Sequence, residues 1–377
     1  MRMITLGLFG AALVTVLAVG CGDDDDDNPG TQGRGGSAGT GGAAGTGGTG
    51  GGTGGTGGTG GGASGTGGAS GTGGGGGGPT VLGSFDRTKG ELPEGIAIRD
   101  GKVYVGFAGS AEVVSVPVEG GTPTSFAQFP APVPNEGFFT GIAFDDQGNF
   151  YGALASAPAP GVYRIAAGAG AGGAGGAGGA GPQPKLVASG AKMTFPNWIT
   201  FDGGNGYVTD SASGTIFRFA PAGGKTEAWV SDVLLQPDKS ACQGAVPLDV
   251  GANGLVIVGN DFYVANTNKG TLVKVTRNQD GTAGKAELVL EDCEKLAGID
   301  GIVSDGGGGL YAAVNARNTI VRIDVTARTV TTVAAAPTVA LSNPASLALQ
   351  GGNLYVTNAA FFIETAAPTL LRLPLAP

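Results

Sequence analysis

Six polar side chains stand at one recurring point of a segment repeated along the chain: Glu94, Thr140, Asn197, Asn253, Asp300 and Asn343. They comprise two carboxylates, three amides and a hydroxyl. All offer oxygen, and none is the imidazole or thiolate that zinc prefers. Brought to one axis, they suit a hard divalent cation, above all Ca²⁺, which takes about 6–8 oxygen ligands. Such a site polarises a carbonyl, and a carboxylate beside it can move a proton. The 377 residues contain no His. That excludes a Ser-His-Asp triad, a Cys-His pair, His-ligated zinc or haem, and a quinone dehydrogenase with a His base. Glycine runs such as 306–309 lack the Lys and the strand-to-helix context of a phosphate loop.

The elements that must position these residues are repeats. From Pro93 the chain reads P-E-G-I-A-I-R-D-G-K-V-Y-V-G. Related segments begin at Thr140, Pro196 (P-N-W-I-T-F-D-G-G-N-G-Y-V-T-D), Ala252 (A-N-G-L-V-I-V-G-N-D-F-Y-V-A-N), Ile299 and Asn343. Each is a short apolar strand, a Gly/Asp/Asn hairpin turn, and a second strand carrying an aromatic. Third strands are expected at 112–117, 161–165, 215–219, 271–275, 319–323 and 370–373, and fourth strands at 185–188, 226–230 and 287–290. Four strands per unit at a period of about 45 residues predicts an all-β, six-bladed β-propeller. The last repeat supplies three strands, so residues 80–85, T-V-L-G-S-F, are expected to add its outer strand and remove an edge. First strands then line a central channel, with the six polar residues at its mouth. Thr140 and Trp198 are expected to touch substrate, with Phe138 and Phe139 close by, although Thr140 and Asn343 also suit turns at a strand start. Asp100, Asp145, Asp202 and Asp305 are expected to cap first turns. Asp210, Asn266, Asn315 and Asn358 follow the second strands and read as turn-satisfying repeat signatures.

Composition divides the chain into three parts. Residues 1–20 carry Arg2 and then an apolar stretch of signal-peptide length. The run Leu17-Ala18-Val19-Gly20-Cys21 resembles a bacterial lipobox, which implies lipidation of Cys21. Residues 21–78 form a tether: Asp23–Asp27 and then a Gly-rich tract that cannot build a core and reaches about 40 Å as a coil. Residues 79–377 are the folded domain. The expectation is an exported monomer held in the cell envelope by its lipid alone, with Gly22 after Cys21 favouring the outer membrane. Cys242 and Cys293 are left as an even pair and are expected to form a disulfide. A net charge of −9 excludes a nucleic-acid partner.

With those motifs in place, residues 90–377 resemble the gluconolactonase/regucalcin (senescence marker protein) family. That family is one of six-bladed propellers that hydrolyse sugar lactones with a bound divalent metal. The resemblance rests on Glu94 in P-E-G-I-A, Asn197 in F-P-N-W-I-T-F-D, Asn253 in A-N-G-L-V and Asp300 in D-G-I-V-S-D. It implies that these four hold the metal, that Asp300 acts as general base, and that the ligand is a lactone or another sugar-derived molecule. Two departures stand out: Phe195 occupies the place of a substrate-holding basic residue, and Trp198 follows Asn197 where the family has Asp-Gly. The alternative is a non-catalytic surface propeller of the NHL-repeat kind that binds an envelope protein.

Overall fold

A computed structural model describes residues 78–134, 136–168, 183–190 and 192–375. The leader, Cys21, the tether up to residue 77, and most of the Gly/Ala tract lie outside the described residues.

The described residues form six four-stranded antiparallel sheets. Strand β1 is Thr80–Ser84. Blade one is β2 (Pro93–Arg99), β3 (Lys102–Phe107), β4 (Glu112–Pro117) and β5 (Thr124–Gln128). Blade two is β6 (Phe138–Phe144), β7 (Phe150–Ala155), β8 (Gly161–Ile165) and β9 (Lys185–Ala188). Blade three is β10 (Pro196–Asp202), β11 (Asn205–Asp210), β12 (Thr215–Phe219) and β13 (Thr226–Ser231). Blade four is β14 (Ala252–Val258), β15 (Asp261–Asn266), β16 (Thr271–Arg277) and β17 (Ala283–Glu291). Blade five is β18 (Ile299–Ser304), β19 (Gly309–Val314), β20 (Thr319–Asp324) and β21 (Thr329–Ala335). Blade six is β22 (Pro344–Gln350), β23 (Asn353–Asn358) and β24 (Thr369–Pro374). Strand β1 pairs with β24, Thr80 opposite Arg372, so the sixth sheet runs β1-β24-β23-β22. No helix among the described residues is long and apolar enough to cross a membrane.

The repeated aromatic is a tyrosine at one register position of every second strand: Tyr104, Tyr151, Tyr207, Tyr263, Tyr311 and Tyr355. Rings fill the wedge between neighbouring blades. Tyr104 meets Phe144 of the next blade edge-on at 4.8–4.9 Å along with Phe126, and Tyr207 meets Phe262 of the next blade at 4.8 Å. Aromatic side chains bury the most area per residue and prefer this tilted geometry, so they set the angle between sheets.

The turn residues divide in their roles. Asp145 accepts from the Asn149 backbone and side-chain amides at 2.8 and 2.7 Å and from the Tyr151 hydroxyl at 2.7 Å. Asp305 accepts from the Gly307 and Gly309 backbone and from Arg322. Asp202 does not cap its turn; it pairs with Arg277 of blade four. Asp100 lies exposed at a positive φ of 49°, beside Arg99. At the other end of the blades, Asp210 accepts from the Thr194 and Phe195 amides, both at 2.7 Å. Asn266 and Asn358 likewise bond the segments that lead into their own first strands.

Cys242 and Cys293 are joined as a disulfide, 51 residues apart. The bond ties the segment leading into blade four to the segment leading into blade five.

Candidate functional site

Every first strand carries a β-bulge at the same place. Pairing with the second strand slips between Pro93 and Ile96, Phe139 and Ile142, Pro196 and Ile199, Ala252 and Leu255, Ile299 and Ile302, and Pro344 and Leu347. A bulge re-aims side chains and marks functional rims. The first residue inside each bulge is Glu94, Thr140, Asn197, Asn253, Asp300 and, in blade six, Ala345. Asn343 is therefore not a member of the ring. It sits at a positive φ of 45° one residue before β22, and it bonds the Asn315 carbonyl and the Phe362 amide. The P/N starts suggest an alignment on Asn343, but the pairing register places it two positions too early.

Close blade contact holds the ring. A Cβ on Gly95 would come 2.4 Å from the Thr140 carbonyl; on Gly141, 2.4 Å from that of Asn197; on Gly254, 2.4 Å from that of Asp300. Each ring residue in blades one, two and four is thus followed by a glycine because the next blade's ring backbone lies against it. Hydroxyls complete the lacing: Thr209 donates to the Asn253 carbonyl at 2.8 Å and Thr357 to the Glu94 carbonyl at 3.0 Å. Thr140 spends its own proton on the Pro196 carbonyl at 2.9 Å, leaving its oxygen as an acceptor.

All five polar ring residues are buried. The Asn197 amide nitrogen donates to Ser211 Oγ and that of Asn253 to Thr267 Oγ1, each at 3.0 Å. Ser211 and Thr267, which no motif marks as part of the ring, donate in turn to the Ala252 and Ile299 carbonyls at 2.7 Å. Their signal is the hydroxyl one residue past the second strand in Y-V-T-D-S and Y-V-A-N-T. Glu94 Oε2 and Asn253 Oδ1 are buried with no hydrogen-bond partner among the described residues. Burial pushes the Glu94 carboxyl up to about 8. Burial also holds Asp300 well above the usual carboxylate range; the Glu94 charge adds to this and a hydrogen bond from Asn253 opposes it. Two acids sharing one desolvated space resist joint ionisation unless a cation joins them. Among the described residues no three His, Cys, Asp or Glu side chains cluster to hold a metal. The ring has only two carboxylates and would add amide oxygens, a donor set that fits Ca²⁺ and not zinc.

Trp198 lies one residue deeper than the ring. Its amide donates to Thr209 Oγ1 at 3.0 Å. The far edge of its indole would be 2.9 Å from a Cβ on Gly301, so the ring reaches from blade three to the residue after Asp300 in blade five. At the mouth, Phe138 and Phe195 stack with centroids 6.1 Å apart and planes 14° apart.

The described residues form a six-bladed β-propeller in which five first strands carry a buried polar residue at one register position. The sequence model of the SMP-30/Gluconolactonase/LRE-like region matches residues 233–360. That stretch contains Asn253 and Asp300; Glu94 and Asn197 lie before it. A search of curated proteins finds no match. Among solved structures the chain is similar to a gluconolactonase of Xanthomonas campestris, at 16% identity and TM-score 0.56 over 79% of this chain and 89% of that one. It is equally similar to the PQQ-bound aldose sugar dehydrogenase of Streptomyces coelicolor, at 16% and 0.56 over 78% and 97%. Virginiamycin B lyase of Staphylococcus aureus follows at 12% and 0.51 over 79% and 99%. These likenesses establish the fold, which hosts several chemistries, so function rests on the site itself.

Proposed function

We propose that the protein is an envelope-tethered, Ca²⁺-dependent hydrolase of a sugar lactone or related ester, anchored through lipid on Cys21. The observation that carries the reading is the pair of orphaned buried oxygens, Glu94 Oε2 and Asn253 Oδ1, in the ring that also contains Asn197 and Asp300. An unpartnered buried carboxylate is costly, and a cation relieves it. Glu94, Asn197, Asn253 and Asp300 would hold the ion, which when bound supplies Lewis-acid polarisation of a carbonyl. Asp300, ionised as a ligand, would take a proton from water through an oxygen left free of the ion as the water oxygen adds to the carbonyl carbon. It returns that proton to the ring oxygen as the C–O bond breaks, so lactone and water give a hydroxy acid. Thr140 offers its oxygen to a substrate hydroxyl, and Trp198 floors the site and keeps bulk water out from below.

The test is calorimetric Ca²⁺ binding on the full chain beside Glu94→Gln and Asp300→Asn, followed by a lactone panel. One ion bound by wild type and lost in both variants supports the site. Binding of no ion overturns it and leaves a surface binding module. Unchanged turnover in Asp300→Asn overturns the base role.

A further inference from the structure

The turn after the second strand of blade four, residues 267–270, is buried except for Lys269. One flank is the segment leading into blade four. The Thr267 and Asn268 amides donate to the Gly251 and Val250 carbonyls at 3.1 and 2.9 Å. The Asn268 side chain accepts from the Val250 amide at 2.8 Å and donates to the Leu248 carbonyl at 2.9 Å. The other flank is the segment leading into blade five. The Gly298 amide donates to the Thr267 carbonyl at 3.0 Å, and the Asp292 amide to that of Gly270 at 3.1 Å. A Cβ on Gly270 would come 3.2 Å from Cys242 Sγ and 3.1 Å from the Ala297 nitrogen. The Cys242–Cys293 bond thus joins the two flanks where the turn is packed between them. Cys242 and Gln243 also stand at positive φ, 48° and 59°, a conformation that non-glycine residues keep only when their surroundings hold it. Thr267, at the root of the turn, accepts from the Asn253 amide and donates to the Ile299 carbonyl.

We infer that the disulfide is a redox-operated strap: closed, it holds turn 267–270 and, through Thr267, the orientation of the Asn253 amide. Cys242 and Cys293 are then positioning residues for the ring. The effect on affinity rests on the calcium reading above; the strap itself does not. Both cysteines are half-buried, so a small dithiol reaches them. Its thiolate attacks one sulfur, the S–S bond breaks and a mixed disulfide forms. Its second thiol then displaces the protein sulfur. Two electrons and two protons pass to Cys242 and Cys293, and the reagent leaves as a cyclic disulfide. With the tie gone, Cys242 and Gln243 relax and the two flanks part over the turn. The Asn253 amide divides its protons between Thr267 and Asp300. Once Thr267 loosens, the amide turns, and its buried, unpartnered Oδ1 no longer keeps one direction. Ser211 makes the same bond to Asn197 in blade three, with no disulfide beside its turn, and serves as the internal control.

The experiment uses the full chain carrying Cys21→Ser, so that no other thiol exchanges, oxidised or reduced with dithiothreitol. Nuclear magnetic resonance follows hydrogen exchange of the two side-chain amides. Reduction should speed exchange at Asn253 at least about tenfold and leave Asn197 within about twofold. Calorimetry with Ca²⁺ alone should show about tenfold weaker binding after reduction. In Thr267→Val reduction should change affinity less than about twofold, while in Ser211→Ala it should still cost about tenfold, since only the first shares the strap's route. Unchanged exchange at Asn253, equal acceleration at Asn197, or a further tenfold loss in Thr267→Val overturns the inference. Ca²⁺ bound equally by both redox forms also overturns it and leaves the metal site standing. No Ca²⁺ bound by the oxidised chain defeats the metal reading, and the strap then stands or falls by the exchange result.

Discussion

Asn197 gives its amide proton to Ser211, and Ser211 gives its hydroxyl proton to the Ala252 carbonyl in the next blade. Asn253, Thr267 and the Ile299 carbonyl repeat the chain one blade on. An asparagine can present nitrogen or oxygen to a ligand; the Asn197 nitrogen is committed to Ser211, which leaves its oxygen as an acceptor, while the Asn253 nitrogen is shared between Thr267 and Asp300. Supporting contacts of this kind govern ligand geometry as strongly as the ligands do.

Ser211→Ala and Thr267→Val should therefore fold, with a stability loss of about 1 kcal/mol each. Both should weaken Ca²⁺ binding by about 10- to 100-fold. Calorimetry beside thermal denaturation separates the two effects. Full affinity in both variants would show that the amides are not oriented this way.

Close approach of the blades makes Gly254→Ala severe, because the new methyl would press on the Asp300 carbonyl. A loss of about 3 kcal/mol is expected, as for overpacking with little room to relax. Gly190→Ala, where a Cβ meets nothing within 4 Å, should be neutral in the same denaturant titration.

Much of this architecture is legible in the residues. The P-E-G-I-A and A-N-G-L-V starts mark first strands, and the D-G and G-G-N turns mark the hairpins. Outer strands β5, T-S-F-A-Q, and β21, T-V-T-T-V-A-A, carry no strand signal in the sequence. They face solvent along most of their length and so lack an alternating apolar signal. In β17 only the end from Glu287 was legible, for the same reason. The position of Asn343 fails for a different cause: a bulge adds a residue to pairing without any letter that announces it. Asn197, Asn253 and their glycine or tryptophan neighbours were readable as a ring, whereas Ser211 and Thr267 acquire meaning only once the next blade is beside them.

Acid should act on the turn at Asp145. Burial raises its carboxyl, but hydrogen bonds from Asn149 and Tyr151 outweigh this and hold it below its ordinary value. Its folded pKa is thus lowered, so the stabilisation is present above the unfolded value near 3.8 and is lost as pH falls through the folded one. Asp145→Asn should cost about 2 kcal/mol at pH 7 and progressively less as the pH falls below 3.8 and through the lowered folded value, because the wild-type carboxylate is then protonated as well. Urea titrations across a series of acidic pH values check this, and a cost that rises as the pH falls would refute the assignment.

Removing the disulfide with Cys242→Ser and Cys293→Ser together should lower stability by about 4 kcal/mol, the loop-closure value for a bond spanning 51 residues. Melting of the double variant should match that of reduced wild type. A difference between them would mean that the serines themselves disturb the junction.

The pairing of Thr80 with Arg372 also imposes an order in time. Residues 80–84 and 369–374 are separated by the other five blades, so the sheet that seals the circle joins segments remote in the chain. Until that sheet forms, first and fifth blades stand beside an open seam, and a partly folded intermediate offers unpaired strand edges to any neighbour. Closure between such remote segments is slow relative to hairpin formation within a blade. The step at which this protein is most vulnerable to aggregation is therefore the closing of that seam, and a chaperone that shields it would protect the chain.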